Sequence, residues 1–189
     1  MNTTNMVLCG LGGQGILFMT KILAQAALRK GFDVLGAETH GMAQRGGSVV
    51  SHLRLGNLQG SLVETGAARV LLALEENEAY RNLPFLAPGG RLFVNTSSSA
   101  FPREEVRSYL VEKEILCRGV PATSIAVTMG VALSSNLALL GYFSVFAEEP
   151  FTHEELRETI GEISPDRFRD NNLKVFDAGF ERALEEKRD

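Results

Sequence analysis

The chain has 189 residues and a net charge of −4, with 44% hydrophobic and 22% charged residues. That length suits a single domain over residues 1–189 with room for one substantial core, and the acidic balance, with no Lys/Arg cluster, excludes a general nucleic-acid surface. The longest apolar run, within 131–147, is broken by Ser134, Ser135, Asn136, Gly141 and Ser144 and is too short and polar to span a bilayer. No basic segment leads into an apolar signal core at the N-terminus, so a cytoplasmic location is expected.

In chain order, Met6–Cys9 is a short apolar segment of the kind that forms a buried strand. Gly10-Leu11-Gly12-Gly13-Gln14-Gly15 follows, and then Ile16, Met19, Leu23, Ala26 and Ala27 recur at helical spacing. Strand, glycine turn and helix is the arrangement in which G-x-G-x-x-G works. The first glycine permits a tight turn, the second (Gly12) lets backbone approach a ligand, and the third removes a side chain where helix meets strand. Free N–H groups and the dipole at the helix start suit an anion. A second strand is predicted over 32–37, ending in Glu38, about where a dinucleotide fold carries its ribose-binding acid. Taken alone, this stretch reads as a nicotinamide or flavin nucleotide site. A turn whose glycines serve packing only fits it equally well.

Thr39 to Ser48 is a polar loop holding His40, Gly41, Gln44, Arg45, Gly46 and Gly47. It is expected at the carboxyl edge of the sheet, where ligands of open α/β sheets sit. A mere connection does not need His, Gln and Arg interleaved with glycine. Arg45 in particular offers a rigid fork of donors for phosphate or carboxylate. The partly alternating run 48–55, the Gly56-Asn57 turn and the run 58–63 predict a β-hairpin, with His52 and Arg54 on its exposed side. Arg69–Leu74 reads as a strand buried on both faces. Glu75, Glu76 and Glu78 suit the first turn of a helix that ends near Leu83-Pro84, and Glu75 is also a weak acid–base candidate. Pro88-Gly89-Gly90 should turn into a strand over 91–94, closed by Asn95-Thr96 at the same edge. A surface helix is expected over 102–115, and a last edge strand over 119–125. A mostly buried helix over 131–146 should contain an Asn136 that needs a partner. Thr152-x-x-Glu155 is a capping box for a helix over 154–163, and a final helix over 171–187 points Leu173, Phe176, Phe180 and Leu184 inward. The fold class is therefore α/β, a Rossmann-like three-layer domain with a mainly parallel sheet and a β-hairpin.

The cysteines, Cys9 and Cys117, lie in separate elements, and no C-x-x-C occurs. The chain alone cannot hold an iron–sulfur cluster or a structural zinc. His40, His52 and His153 have no metal-ligand spacing, so no metal site is expected.

Gly10-x-Gly12-Gly13-Gln14-Gly15, followed by Glu38-x-His40-Gly41-Met42-x-Gln44-Arg45-x-Gly47-Ser48, resembles the gamma-type domain of 2-oxoacid:ferredoxin oxidoreductases. The His-Gly-Met-x-Gln-Arg form is similar to that in small subunits of the indolepyruvate branch; pyruvate-type members usually carry a Tyr-Gly-Pro-type sequence there. Pro88-Gly89-Gly90, Asn95-Thr96, Asn136 and Asn171-Asn172-x-x-x-Phe176-x-x-Gly179 extend the likeness nearly from end to end. The resemblance implies an enzyme subunit, inactive alone, that supports oxidative decarboxylation of an arylpyruvate to an acyl-CoA, with electrons passed to ferredoxin. It implies coenzyme A as co-substrate, with thiamine diphosphate and iron–sulfur clusters held by a large partner subunit. This sequence has no Gly-Asp-Gly thiamine motif of its own. No nucleophile or general base stands out, so binding roles alone are expected. Gly12, Gly13 and Gln14 would present backbone donors, Arg45 a clamp, and His40 a polar contact near the acyl group, with Gly10, Gly15, Glu38, Gly41, Gln44, Asn95 and Thr96 completing the candidate set. Two other readings stand beside this one: a stand-alone NAD(P)- or flavin-dependent oxidoreductase, and a non-catalytic docking subunit. The isolated chain could also form a homodimer.

Overall fold

A computed structural model describes residues 3–41, 46–57, 59–148 and 150–188. Six strands form one sheet in the order β2-β3-β1-β4-β5-β6. They are β1 (Thr4–Leu11), β2 (Val34–His40), β3 (Ser48–Leu55), β4 (Ala68–Ala73), β5 (Leu86–Asn95) and β6 (Leu116–Val120). Strands β1, β4, β5 and β6 run parallel, β3 is antiparallel to β1, and β2 is antiparallel to β3.

Strand alternation explains why β1 reads as an unbroken apolar run. Met6 and Leu8 enter one apolar cluster, and Val7 and Cys9 enter the other. A strand covered on both faces has no polar side. The first cluster takes in α1 (Ile16–Arg29), α5 (Ser135–Ser144), α6 (His153–Ile163) and α7 (Asp166–Arg188), with Ala122 and Ala126 of α4 (Ala122–Thr128). The second is covered by α2 (Glu76–Asn82) and α3 (Glu104–Glu112) through Ala79 and Leu110. The chain thus leaves β1 toward one face and β4, its neighbour, toward the other. Such a topological switch point opens a crevice at the carboxyl ends of the two strands.

Every residue of α5 is buried, as expected of a helix that is apolar all round and packed between layers. Two glycines bring α5 and α7 into backbone contact. A Cβ on Gly141 would lie 1.9 Å from the Phe176 carbonyl oxygen, and one on Gly179 would lie 2.0 Å from that of Ala138. The Thr152 capping box is formed in both directions at the head of α6.

Several boundaries differ from the sequence reading, each for a local reason. The hairpin is β2–β3, closed where the Gly41 N–H donates to the Ser48 carbonyl at 2.7 Å. The described residues of 58–63 form no strand, because side chains satisfy their backbone. The Arg54 guanidinium donates to the carbonyls of Gly60 and Leu62, and the Val63 N–H donates to His52 Nδ1. His52 is accordingly buried rather than exposed and stacks edge-on against Phe85. Pro88-Gly89-Gly90 lies inside β5, where the pairing with β4 slips between Ala68 and Val70 and Gly89 takes φ +72°. The last strand ends at Val120, and Pro121 heads α4. The surface helix is trimmed to Glu104–Glu112, and the final helix starts five residues earlier than expected, at Asp166. There Pro165 sits before the first turn and its carbonyl accepts from Arg169, a position that needs no proline N–H.

Candidate functional site

The glycine turn leaves β1 at the switch point and delivers the N-terminus of α1. Gly13 and Gly15 take the left-handed conformation, at φ +95° and +84°; Gly12 does not. The close approaches are at the ends of the motif. A Cβ on Gly10 would meet Gln14 Oε1 at 2.7 Å and Leu74 Cβ at 3.1 Å, and one on Gly15 would meet Asn136 Nδ2 at 2.5 Å. Around Gly12 the nearest atoms are 3.7 Å or more away. Gln14 points back into its own turn, where its Oε1 accepts the Leu11 N–H at 2.7 Å while its N–H donates to the Leu11 carbonyl.

Counting donors narrows the expected backbone donors, Gly12, Gly13 and Gln14, to Gly13. The Gly12 N–H is committed to the Gly47 carbonyl at 2.9 Å, and the Gln14 N–H is committed within the turn. Among the described residues the Gly13 N–H has no backbone partner, and the first turn of α1 contributes its own unpaired N–H groups. That helix start carries no acidic residue and no side-chain cap, which leaves its partial positive charge available to an anion. Asn136, buried at the head of α5, finds the partner it needs by donating to the Gly15 carbonyl at 3.2 Å.

The Gly12–Gly47 bond joins the two glycine loops that the sequence singled out. Gly41 closes the second loop against Ser48, and His40 stands exposed just before it. Gln44 and Arg45 lie outside the described residues. Glu38 is exposed on β2, paired with Ser51 of β3, so a whole antiparallel strand separates it from β1 and the turn. A ribose-binding acid belongs beside the glycine strand, and Glu38 does not stand there.

Asn95 and Thr96 line a neighbouring cleft of about 350 Å³ with Glu75, Glu76, Ser97, Ser98, Thr123 and Ser124. Both are engaged internally. Asn95 donates to the Leu74 carbonyl and to Thr123 Oγ1 and accepts from the Thr123 N–H, while the Thr96 hydroxyl donates to Glu76. They tie β5 to β4, α2 and α4 and fix the cleft walls. Glu75 precedes α2 in extended conformation, and Glu76 and Glu78 fill its first turn.

Sequence reasoning missed Glu78 as an anchor. It is only 2% exposed, and its carboxylate accepts from Ser48 Oγ and from Arg81, each at 2.6 Å, which clamps the start of β3 behind the second loop. Nothing local signals this, since Ser48 and Glu78 are distant in sequence. Burial, reinforced by the Glu78 charge, pushes the Cys9 thiol far above its ordinary range, and burial pushes Cys117 up to about 12. Neither thiol is available as a thiolate, and among the described residues no His, Cys, Asp and Glu cluster has a metal-binding arrangement. These residues do not fit an iron–sulfur cluster. No described helix is long and apolar enough to cross a membrane.

A doubly wound α/β sheet with a glycine turn and an uncapped helix start at its switch point belongs to the Rossmann-like class, in which such a helix start suits an anion. The particular family follows from comparison with known proteins: residues 5–182 match the model of pyruvate ferredoxin/flavodoxin oxidoreductases, and the chain belongs to that family. It is 36% identical to the indolepyruvate oxidoreductase subunit IorB of Methanothermobacter thermautotrophicus, over 96% of this chain and 98% of that one. It is 31% identical to the ketoisovalerate oxidoreductase subunit VorA of the same organism, over 94% of this chain but 36% of the longer one. Its fold matches, with a TM-score of 0.78 at 20% identity, part of the 2-oxoglutarate:ferredoxin oxidoreductase of Magnetococcus marinus, whose structure contains 2-oxoglutarate, coenzyme A and succinyl-CoA. That match covers 97% of this chain and 31% of the other.

Proposed function

We propose that this chain is the small subunit of a 2-oxoacid:ferredoxin oxidoreductase acting on an arylpyruvate of the indolepyruvate type. The observation that carries the reading is the end-to-end similarity to the indolepyruvate oxidoreductase subunit. The reaction decarboxylates the 2-oxoacid, transfers the acyl group to the thiol of coenzyme A, and passes two electrons to ferredoxin. Thiamine diphosphate supplies the electron sink, and it and the clusters belong to a large partner subunit. This chain's part is binding. The Gly13 N–H and the start of α1 receive the pyrophosphate of coenzyme A, and Arg45 clamps a phosphate or carboxylate from the adjoining loop. His40 makes a polar contact toward the acyl end. A crowded turn at a helix start, with two of its N–H groups already spent on holding its shape, is suited to such a role because nothing has to reorganise on binding. The displaced Glu38 weighs against a stand-alone nicotinamide enzyme.

Reconstitution tests the reading. The purified chain alone should show no flavin or iron–sulfur absorbance and no indolepyruvate oxidation, and adding the large subunit should bring coenzyme A-dependent reduction of ferredoxin. Turnover of indolepyruvate by the isolated chain would overturn it, as would a mixed complex whose rate ignores coenzyme A.

A further inference from the structure

The hydroxyl-lined cleft and the glycine turn are separated by one short segment. The N-terminal end of α4 (Pro121–Ser124) lines the cleft, and Asn136 at the head of α5 holds Gly15. The chain between them, 127–133, carries the end of α4 into the turn before α5. There it turns its large apolar side chains outward: Leu133 is 87% exposed, Val127 55% and Met129 39%. Leu17, in the first turn of α1 two residues past Gly15, is 45% exposed. Their arrangement contrasts with that of α5, which follows at once and is buried throughout. Nothing in folding calls for four large apolar side chains in water beside a polar site, where burying each one would contribute about 1.5–3 kcal/mol. Contiguous apolar surface rimmed by polar groups marks an interaction site.

We infer that this rim, Leu17, Val127, Met129 and Leu133, is the surface on which the large, cofactor-carrying subunit docks, so that the subunit junction closes over the glycine turn. The inference rests on the proposed function. What points to this occupant is chain length. The same domain accounts for 36% of the VorA chain and 31% of the Magnetococcus chain, where the remaining polypeptide is tethered to it. In the IorB subunit, 98% of which the match spans, that remainder has to come from another molecule. The segment carrying Val127, Met129 and Leu133 links α4, whose start lines the cleft, to α5, whose Asn136 holds Gly15, so a molecule seated on it lies beside both features.

The test uses the full chain with its large subunit. Leu133→Asp and Val127→Asp, singly and together, should weaken heteromeric assembly at least tenfold each, read as the concentration dependence of the complex in light scattering. The Tm of the free chain should hold steady, because these side chains make little contact. Leu62→Asp, as exposed as Val127 but beyond β3 at the opposite edge of the sheet, should leave assembly unchanged. If the wild-type chain does not assemble with the large subunit, the functional reading falls and this surface with it. If it assembles and Leu133→Asp assembles as tightly, the surface alone is wrong. If Leu133→Asp merely turns a homodimer into monomers and spares the heteromeric complex, the rim is a self-association face and the inference is overturned.

Discussion

At the scale of single residues, the glycine motif divides into positions that the fold requires and positions that it does not. Gly15 combines φ +84° with an Asn136 amide that sits where a Cβ would go. Gly15→Ala therefore incurs about 1–2 kcal/mol for the left-handed backbone and about 1–3 more by displacing a buried donor, roughly 2–5 kcal/mol altogether in thermal unfolding. Gly13→Ala should cost only the first part, since nothing crowds it. Gly12→Ala should be close to silent in stability, so any loss of coenzyme A affinity there would report the ligand rather than the fold. A Gly12→Ala that unfolds more readily than Gly15→Ala would reverse this ranking. The sequence motif could not make the distinction, because glycines are identical in a pattern and differ only in what surrounds them. Arg45 carries the complementary prediction. If it forks onto a phosphate or carboxylate, Arg45→Lys keeps the charge but loses the paired geometry. With a charge-assisted bond contributing about 1.5–3 kcal/mol, up to about a hundredfold could be lost in kcat/KM of the complex, with the Tm of the free chain unmoved. Varying coenzyme A and arylpyruvate separately shows which one the loop faces, and an unchanged complex on both axes removes Arg45 from the site.

At the scale of elements, helix ends and helix contacts make opposing predictions for chemically identical changes. Gly141→Ala drives a methyl into the Phe176 carbonyl at 1.9 Å, so α5 and α7 must part. A loss of about 3 kcal/mol or more, at the upper end of overpacking costs, is expected in denaturant unfolding. Gly161→Ala, in α6 with no neighbour within 4 Å, should instead gain about 0.5–1 kcal/mol from helix propensity. Equal effects from the two would mean that the α5–α7 contact is loose. Thr152→Ala removes one half of the capping box and should cost about 1 kcal/mol. That cap was legible in the sequence because Thr-x-x-Glu is a local device. The Asn136 requirement was legible for a related reason: a polar amide in an apolar helix must be satisfied. Its partner, 121 residues away, was not. The sequence places the hairpin wrongly because β3 has a candidate partner on either side, β2 before one turn and 58–63 after another. What decided between them was the reach of Arg54 and His52 across to the second segment.

At the scale of the whole molecule, the buried His52 and the half-buried His153 tie stability to pH. Burial lowers the pKa of His52 and of His153 in the folded chain, so the unfolded chain binds protons more readily. Stability is then complete above the unfolded value of about 6.5 and is lost as pH falls from there through the depressed folded values. For His52 the bond demands it, because a backbone N–H can only donate and Nδ1 must stay unprotonated to accept from Val63. The Tm should drop between neutral pH and the mildly acidic range. His52→Asn, which keeps an acceptor but cannot titrate, should remove part of that drop, and an identical slope in the variant would dismiss the assignment. By itself the sequence determined the layers, the glycine turn between strand and helix, the candidate edge of the sheet and the family likeness, because alternation, helical spacing and turn chemistry are written within a dozen residues of one another. Tertiary structure alone decided that β3 inserts between β1 and β2, carrying Glu38 away from the turn, and that Gly47 and Asn136 take up the polar groups of the glycine loop. It alone decided that Glu78 anchors the second loop and that Leu133 faces outward beside the site. These depend on which strand pairs with which and on contacts between distant residues, and no local free energy in the chain encodes either one.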